Sequence, residues 1–203
     1  MNIPKDKEEL IYEVSLKEFA EKGYELASTN NIVKECGFSK GTLFNYVKNK
    51  RNLYLFVVEK TLNDIGITIE EELNIKSTDI FEKIKEIQKI KLNIFLKYPN
   101  ENKLIIQAFT EADEDIKDKF SIKYEKYSKM FFELMTTNVD YSKFKDGIDI
   151  EMTLSTILLT MNGLSEKISR KYKNNQEQMI KDLEKIIKES NKYLNFIKEL
   201  VYK

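Results

Sequence analysis

The sequence predicts an all-α protein of about nine helices, and three observations carry that expectation. Apolar residues recur at three- and four-residue steps through most of the chain. Only two prolines and six glycines stand in 203 residues, too few for a β-sandwich or a loop-rich fold. A composition 41% hydrophobic and 33% charged suits a helix-rich protein that buries a sizeable core. In order, Leu10, Ile11, Val14, Phe19 and Ala20 mark a first helix over 6–23 that Gly23 ends, with Tyr24 packing after it. Ser28 or Thr29 caps a second, and Ser39 a third that carries Leu43, Phe44 and Val47. Residues 51–73 form a longer helix, apolar almost all round from Leu53 to Val58 and therefore buried on both sides. A linker over 74–78, with Ser77 or Thr78 as cap, leads to a helix that stops before Pro99, because the residue preceding proline resists the helical conformation. Helices over 101–111, 117–137, 150–172 and 177–202 complete the chain.

The stretch Ser28–Arg51 carries the chemistry. Ile32 and Val33 give the second helix an apolar face, Gly37 sits where a left-handed residue ends a helix, and Phe38 plugs the turn. Two short helices joined by a glycine-containing turn make a helix-turn-helix, whose second member enters the major groove of DNA. Lys34, Lys40, Lys48, Lys50 and Arg51 oppose only Glu35 here, in a chain whose 34 basic and 34 acidic residues cancel. That local excess is an electrostatic footprint for phosphate. Gly41 lets backbone approach DNA, Thr42 offers a hydroxyl and a methyl, and Asn45 has the amide to pair bidentately with adenine. Tyr46 and Lys50 suit phosphate contacts that set register. The plain alternative is an amphipathic hairpin with a solvated basic face; the glycine, both caps and the basic excess occurring together argue against it.

Residues 9–60 resemble the DNA-binding domain of the TetR family of bacterial transcriptional repressors, with S-K-G-T-L-F-N-Y-V-K-N-K (39–50) in the place of that family's most recognisable run. Phe44 stands where tyrosine is commonest and Val47 where phenylalanine is, both at core positions. The resemblance implies DNA contacts by Thr29, Ser39, Lys40, Gly41, Thr42, Asn45, Tyr46 and Lys50. It also implies a DNA-binding head on residues 1–50 and a helical effector-binding and dimerisation body on 51–203, joined by the connector helix 51–73.

The totals exclude much else. Cys36 is the only cysteine, so no internal disulfide forms and a reducing compartment is the natural setting. With no histidine, a His-based triad or zinc site is impossible, and one thiol makes no metal cluster. An enzyme would be left with carboxylate, lysine or tyrosine chemistry, and no nucleophile-plus-base pattern stands out. No metal, cofactor or membrane contact is expected. No apolar run reaches 18 residues and 1–10 hold no signal core, so the expected location is the cytoplasm.

In the body, Phe95, Tyr98, Phe109, Tyr124, Tyr127, Phe131 and Met135 are aromatic or soft residues on helices with which the family encloses a ligand, and Thr156, Thr160 and Asn162 add small polar groups. The alternative for each is plain core. The acidic run Glu111, Asp113, Glu114 and Asp115 either attracts a cation or, more simply, charges the start of the next helix. The last helix repeats Ile180, Leu183, Ile187, Leu194, Ile197 and Val201 in three and four steps, interrupted at Ser190, the pattern of lengthwise helix pairing. Dimerisation is the expected use, burial against its own chain the alternative. The expected function is a homodimeric repressor on an operator palindrome, released when a small-molecule effector in the body moves the connector. The alternative is a constitutive DNA binder whose body only dimerises or docks a protein.

Overall fold

The computed structural model describes residues 4–110, 125–126, 129–172 and 175–203. They are helical as expected: α1 Lys5–Leu26, α2 Thr29–Glu35, α3 Lys40–Val47, α4 Lys50–Glu72, α5 Ile80–Lys97 and α6 Pro99–Thr110. After these come α7 at 129–136, a 3-10 turn at Tyr141–Lys143, α8 Ile150–Tyr172, α9 Gln176–Lys181 and α10 Leu183–Val201. The chain divides into two compact units, Met1–Asn74 with Ile90–Phe132, and Ile75–Lys89 with Glu133–Lys203.

In the first unit α1 is the shared wall. Its Ile11, Leu16 and Phe19 pack with Ile32 of α2, with Leu43 and Val47 of α3, and with Leu53, Val57 and Val58 of α4. Tyr54 is buried at the centre, its ring 5.0 Å from both the Phe19 and the Tyr24 rings. Tyr12 donates to the Thr61 hydroxyl at 3.1 Å, and the Thr61 proton goes on to the Val57 carbonyl at 2.8 Å, so both buried hydroxyls are satisfied. Burial pushes the Tyr12 phenol up to about 12. Leu104 and Ala108 of α6 also belong to this core, and α6 lies against α1 and α4. α6 thus backs the two helices, α1 and α4, against which the helix-turn-helix packs.

Several boundaries move. α1 does not end at Gly23: that residue takes φ 71° as a break, and one more turn follows to Leu26. α4 begins at Lys50, capped by Asn49, whose Oδ1 accepts the Asn52 N–H at 2.8 Å. α6 begins at Pro99, at the helical position where a missing N–H costs nothing.

The second unit is organised on Asp79. This residue, and neither Ser77 nor Thr78, starts α5: its Oδ1 accepts the N–H groups of Phe81 at 2.9 Å and Glu82 at 3.3 Å. Its Oδ2 takes Lys143 at 3.2 Å and Lys198 at 3.3 Å, and the Tyr202 hydroxyl reaches Oδ1 at 3.3 Å. Phe81, Phe144 and Tyr202 stack edge to face beside it. Lys145 and Lys203 donate backbone N–H groups to Val201 and Lys143, which pins the last residues of α10 to the loop after the 3-10 turn. Lys83, almost fully buried, donates its ammonium to the carbonyls of Leu134 and Thr137, the favourable place for a cation at a helix C-terminus. The final helix, expected unbroken over 177–202, is divided at Asp182, whose carboxylate accepts the Tyr172 hydroxyl at 2.8 Å and Lys185 at 3.1 Å.

Burial works to raise the Asp79 pKa, but Lys143, the Glu82 N–H and Lys198 together hold the carboxyl below its ordinary value. A depressed carboxylate stabilises the fold above its unfolded pKa, about 3.9, and that contribution is lost as pH falls through the folded value. Thermal melts of Asp79→Asn are therefore expected to show a loss of about 2 kcal/mol at neutral pH, roughly 4–8 °C for a chain of this size. The gap to wild type should close on acidification below about pH 4.

Candidate nucleic-acid interface

α2 and α3 are too short to persist alone, so local bonds set their ends. Ser28 caps α2: its Oγ accepts the Asn31 N–H at 3.4 Å, which leaves Thr29 as the first helical residue, half-buried. The Ser28 N–H donates to Oε1 of Glu18 on α1 at 2.8 Å, the Asn31 amide reaches the same oxygen at 3.5 Å, and Lys22 straddles the carboxylate at 2.9 and 3.0 Å. Burial acts to raise the Glu18 pKa; Lys22 and the Ser28 N–H outweigh it and hold it below the ordinary value. α2 ends at Cys36, and Gly37 takes φ 67°, a region closed to most side chains. The Phe38 N–H then returns to the Val33 carbonyl at 2.9 Å and its half-buried ring packs on the core.

Ser39 caps α3 through the Thr42 N–H at 3.1 Å, and the two hydroxyls share a further bond of 2.8 Å. Leu43 and Val47 are fully buried, while Phe44 and Tyr46 lie half-buried against the same core. Helical geometry puts Gly41 and Asn45 on the side opposite Leu43 and Val47, with Thr42 and Tyr46 on the flank. Lys40, Gly41 and Asn45 are exposed. A Cβ at Gly41 would come no nearer than 3.8 Å to another atom, the Ser39 Oγ, so nothing inside the protein requires glycine there. Lys50 opens α4, and its ammonium donates to the Glu25 carbonyl at 2.9 Å, 5.0 Å from the Tyr24 ring centre. Lys48 ends α3 at φ 64°, and the Asn49 N–H closes on Val47 O at 2.8 Å, so the α3–α4 joint is only two residues long.

Two positions here escaped the sequence reading. Asn49 precedes the apolar run of α4 and carries an ordinary cap signature. Glu18 continues the Ile11, Val14, Ser15 line of α1, so a carboxylate on a buried face was the available signal.

The remaining candidates separate. Phe95, Tyr98, Phe109 and Phe131 are half-buried in the first unit; Phe109 packs on its core and the Lys91 ammonium stands 4.0 Å from the Phe131 ring centre. In the second unit Met135 packs half-buried on the core, Thr156 and Thr160 donate to the carbonyls of Met152 and Thr156 within α8, and Asn162 is exposed. Tyr124, Tyr127 and the acidic run 111–115 lie outside the described residues. On the last helices, Leu194, Ile197 and Val201 are buried with Ile80, Phe81 and Ile157 in the unit's own core, Leu183 is half-buried, and Ile180 and Ile187 are exposed. A different apolar set stands open: Met152 at 64% and Leu159 at 70% exposure on α8, Phe196 at 61% and Leu200 at 55% on α10. Ser190, which interrupts the repeat, accepts from Gln88 of α5 at 2.7 Å. Among the described residues no three acidic or thiol groups converge as metal ligands, and no helix is long and apolar enough to cross a membrane.

A glycine-turned helix pair whose solvent-facing second helix is flanked by the exposed Lys40 and Lys48, held on a helical scaffold, defines a helix-turn-helix DNA-binding protein. Residues 11–57 match the model of bacterial regulatory proteins of the tetR family, and 78–201 match the tetracyclin repressor-like C-terminal domain. The chain belongs to the TetR family of transcriptional regulators. A helix-turn-helix-type transcriptional regulator of Staphylococcus aureus strain USA300 is 29% identical over 153 residues, 75% of this chain and 80% of that protein. FadR of Bacillus subtilis, solved with stearoyl-CoA, shares the fold at a TM-score of 0.68 and 17% identity, covering 93% of this chain and 96% of its own. AibR, solved with isovaleryl coenzyme A and operator DNA, aligns at a TM-score of 0.61 and 14% identity over 78% of this chain and 83% of its own. The chain is thus a DNA-binding regulator in a family of regulators and not of enzymes.

Gly41→Ala separates folding from recognition. Alanine fits the space and is the better helix former, so the thermal midpoint is expected to rise with a gain of about 0.5–1 kcal/mol. With Gly41 expected to face DNA, duplex affinity should fall at the same time, because an added methyl would stand between backbone and DNA; titration of labelled duplex beside a thermal melt measures both.

Proposed function

We propose that this regulator is a homodimeric repressor that binds a palindromic operator and is released by a small-molecule effector held in the body. The observation that carries this reading is the exposed face of α3, where Lys40, Gly41 and Asn45 stand free of the core that holds Leu43 and Val47. On this reading Asn45 and Thr42 meet base edges, while Thr29, Ser39, Lys40, Tyr46 and Lys50 fix the head on phosphates. The head corresponds to residues 1–50 and the body to 51–203. α4 is the connecting element, and its packing together with α6 on α1 supports a route by which a shift of either helix reorients the reading helix.

Two-fold DNA calls for a two-fold protein. The exposed Met152, Leu159, Phe196 and Leu200 on packed helices α8 and α10 support a second copy of this chain as their partner. Phe95, Tyr98, Phe109, Tyr124, Tyr127, Phe131, Met135, Thr156 and Thr160 remain the proposed effector contacts. The repressor acts in the cytoplasm, where the DNA is. Stearoyl-CoA and isovaleryl-CoA, which accompany FadR and AibR, are the first compounds to test as releasing effectors.

The deciding experiment is retardation of DNA from upstream of the protein's own gene, against scrambled DNA, across a salt series and with those compounds added. Lys50→Ala should weaken both DNAs and flatten the salt slope by about one, with some loss of stability because its bond to Glu25 is lost as well. Asn45→Ala should chiefly erase the preference for the operator, about tenfold or more. No retardation by the wild type at moderate salt would sink the reading; retardation that no effector relieves would leave the constitutive binder. In sedimentation, Leu159→Glu and Phe196→Glu are expected to give folded monomers with weakened operator binding, since both side chains are mostly exposed in one chain.

A further inference from the structure

We infer that Glu18 is a positioning residue for sequence recognition: its carboxylate locks the start of α2 onto α1 and thereby holds the helix-turn-helix at the angle its reading helix needs. This rests on the DNA-binding reading above. The side chain is only 11% exposed, and three groups converge on it, one from its own helix and two from the start of α2. The Ser28 N–H is a backbone donor at 2.8 Å, so the bond fixes the chain itself, at the residue whose hydroxyl in turn caps α2. A charge-assisted bond of this kind is roughly twice as strong as a neutral one. Lys22 keeps the carboxylate ionised and turned toward α2, and the Asn31 amide adds a second hold one turn along that helix.

α2 is seven residues long and buries Ile32, so its axial position is set mainly by its ends. The far end is fixed by the Gly37 turn and the near end by Glu18. Because α2 and α3 are joined by that short turn, freedom at the near end becomes tilt of α3. Contacts to base edges require placement within fractions of an ångström, whereas attraction to phosphate does not. Loss of the Glu18 hold therefore falls on the operator preference and spares general DNA affinity. A negative charge near DNA acts in the opposite sense, since its removal alone favours every duplex equally.

The test measures binding of two duplexes, a site selected from random sequence by the wild type and a scrambled control, by wild type, Glu18→Gln, Glu18→Asp and Glu21→Gln. Glu18→Gln removes the charge, Glu18→Asp keeps the charge but withdraws the oxygens by one methylene, and Glu21→Gln removes an exposed charge on the same helix. Both Glu18 variants are expected to lose about tenfold in preference for the selected site, with scrambled-DNA affinity unchanged or slightly raised, while Glu21→Gln shifts both duplexes alike. Equal loss on both duplexes in step with a lower thermal midpoint, or preference kept in either Glu18 variant, overturns the inference. A wild type that binds DNA without any preference overturns the repressor reading itself, a different result from a preference that the wild type has and the variants lack.

Discussion

Helices of seven and eight residues do not hold together by themselves, so the recognition apparatus exists only as far as α1 and α4 bury one side of it. Ile32, Leu43 and Val47 reach zero exposure against those two longer helices, and the face left over is what meets solvent. The polar fastenings follow from the same need. Ser28, Ser39 and Asn49 each cap a helix start, and Glu18 ties one of those starts to the scaffold. Tyr54 is the centre of the arrangement because one ring touches the middle of α1 through Phe19 and the segment after its Gly23 break through Tyr24.

The helix-turn-helix was legible in the sequence because its determinants are local. A cap, a left-handed glycine and a second cap within a dozen residues specify the turn, and the structure realises each at Ser28, Gly37 and Ser39. What could not be read was any partner distant along the chain. Glu18 meets a backbone N–H ten residues away across a helix break, and Asp79 gathers Lys143, Lys198 and Tyr202 from the other end of the chain. The start of α5 is ambiguous in the sequence for a related reason: Ser77, Thr78 and Asp79 are all cap-forming residues standing together, and the lysines that join Asp79 lie far along the chain.

α10 illustrates the limit of periodicity. The repeat through Leu194, Ile197 and Val201 announced a helix packed along its length, and so it is, within its own unit. A stripe specifies that something covers it and not what. Phe196 and Leu200 sit between the repeat positions and are the most open apolar residues of this helix, with Tyr193 and the repeat position Ile187 less so, so its apolar pattern carries two messages on one sequence. Ser190 belongs to neither: it takes the Gln88 amide from α5, a polar contact that fixes how the two helices slide.

Leu104 and Ala108 complete the core that begins at Ile11. For a chain made on the ribosome, this sets an order of events. The reading helix ends at Val47, yet the wall behind its scaffold is missing until α6 has emerged, some sixty residues later. The core that supports the head therefore closes only once about half of the chain has been made, well after the reading helix itself has emerged.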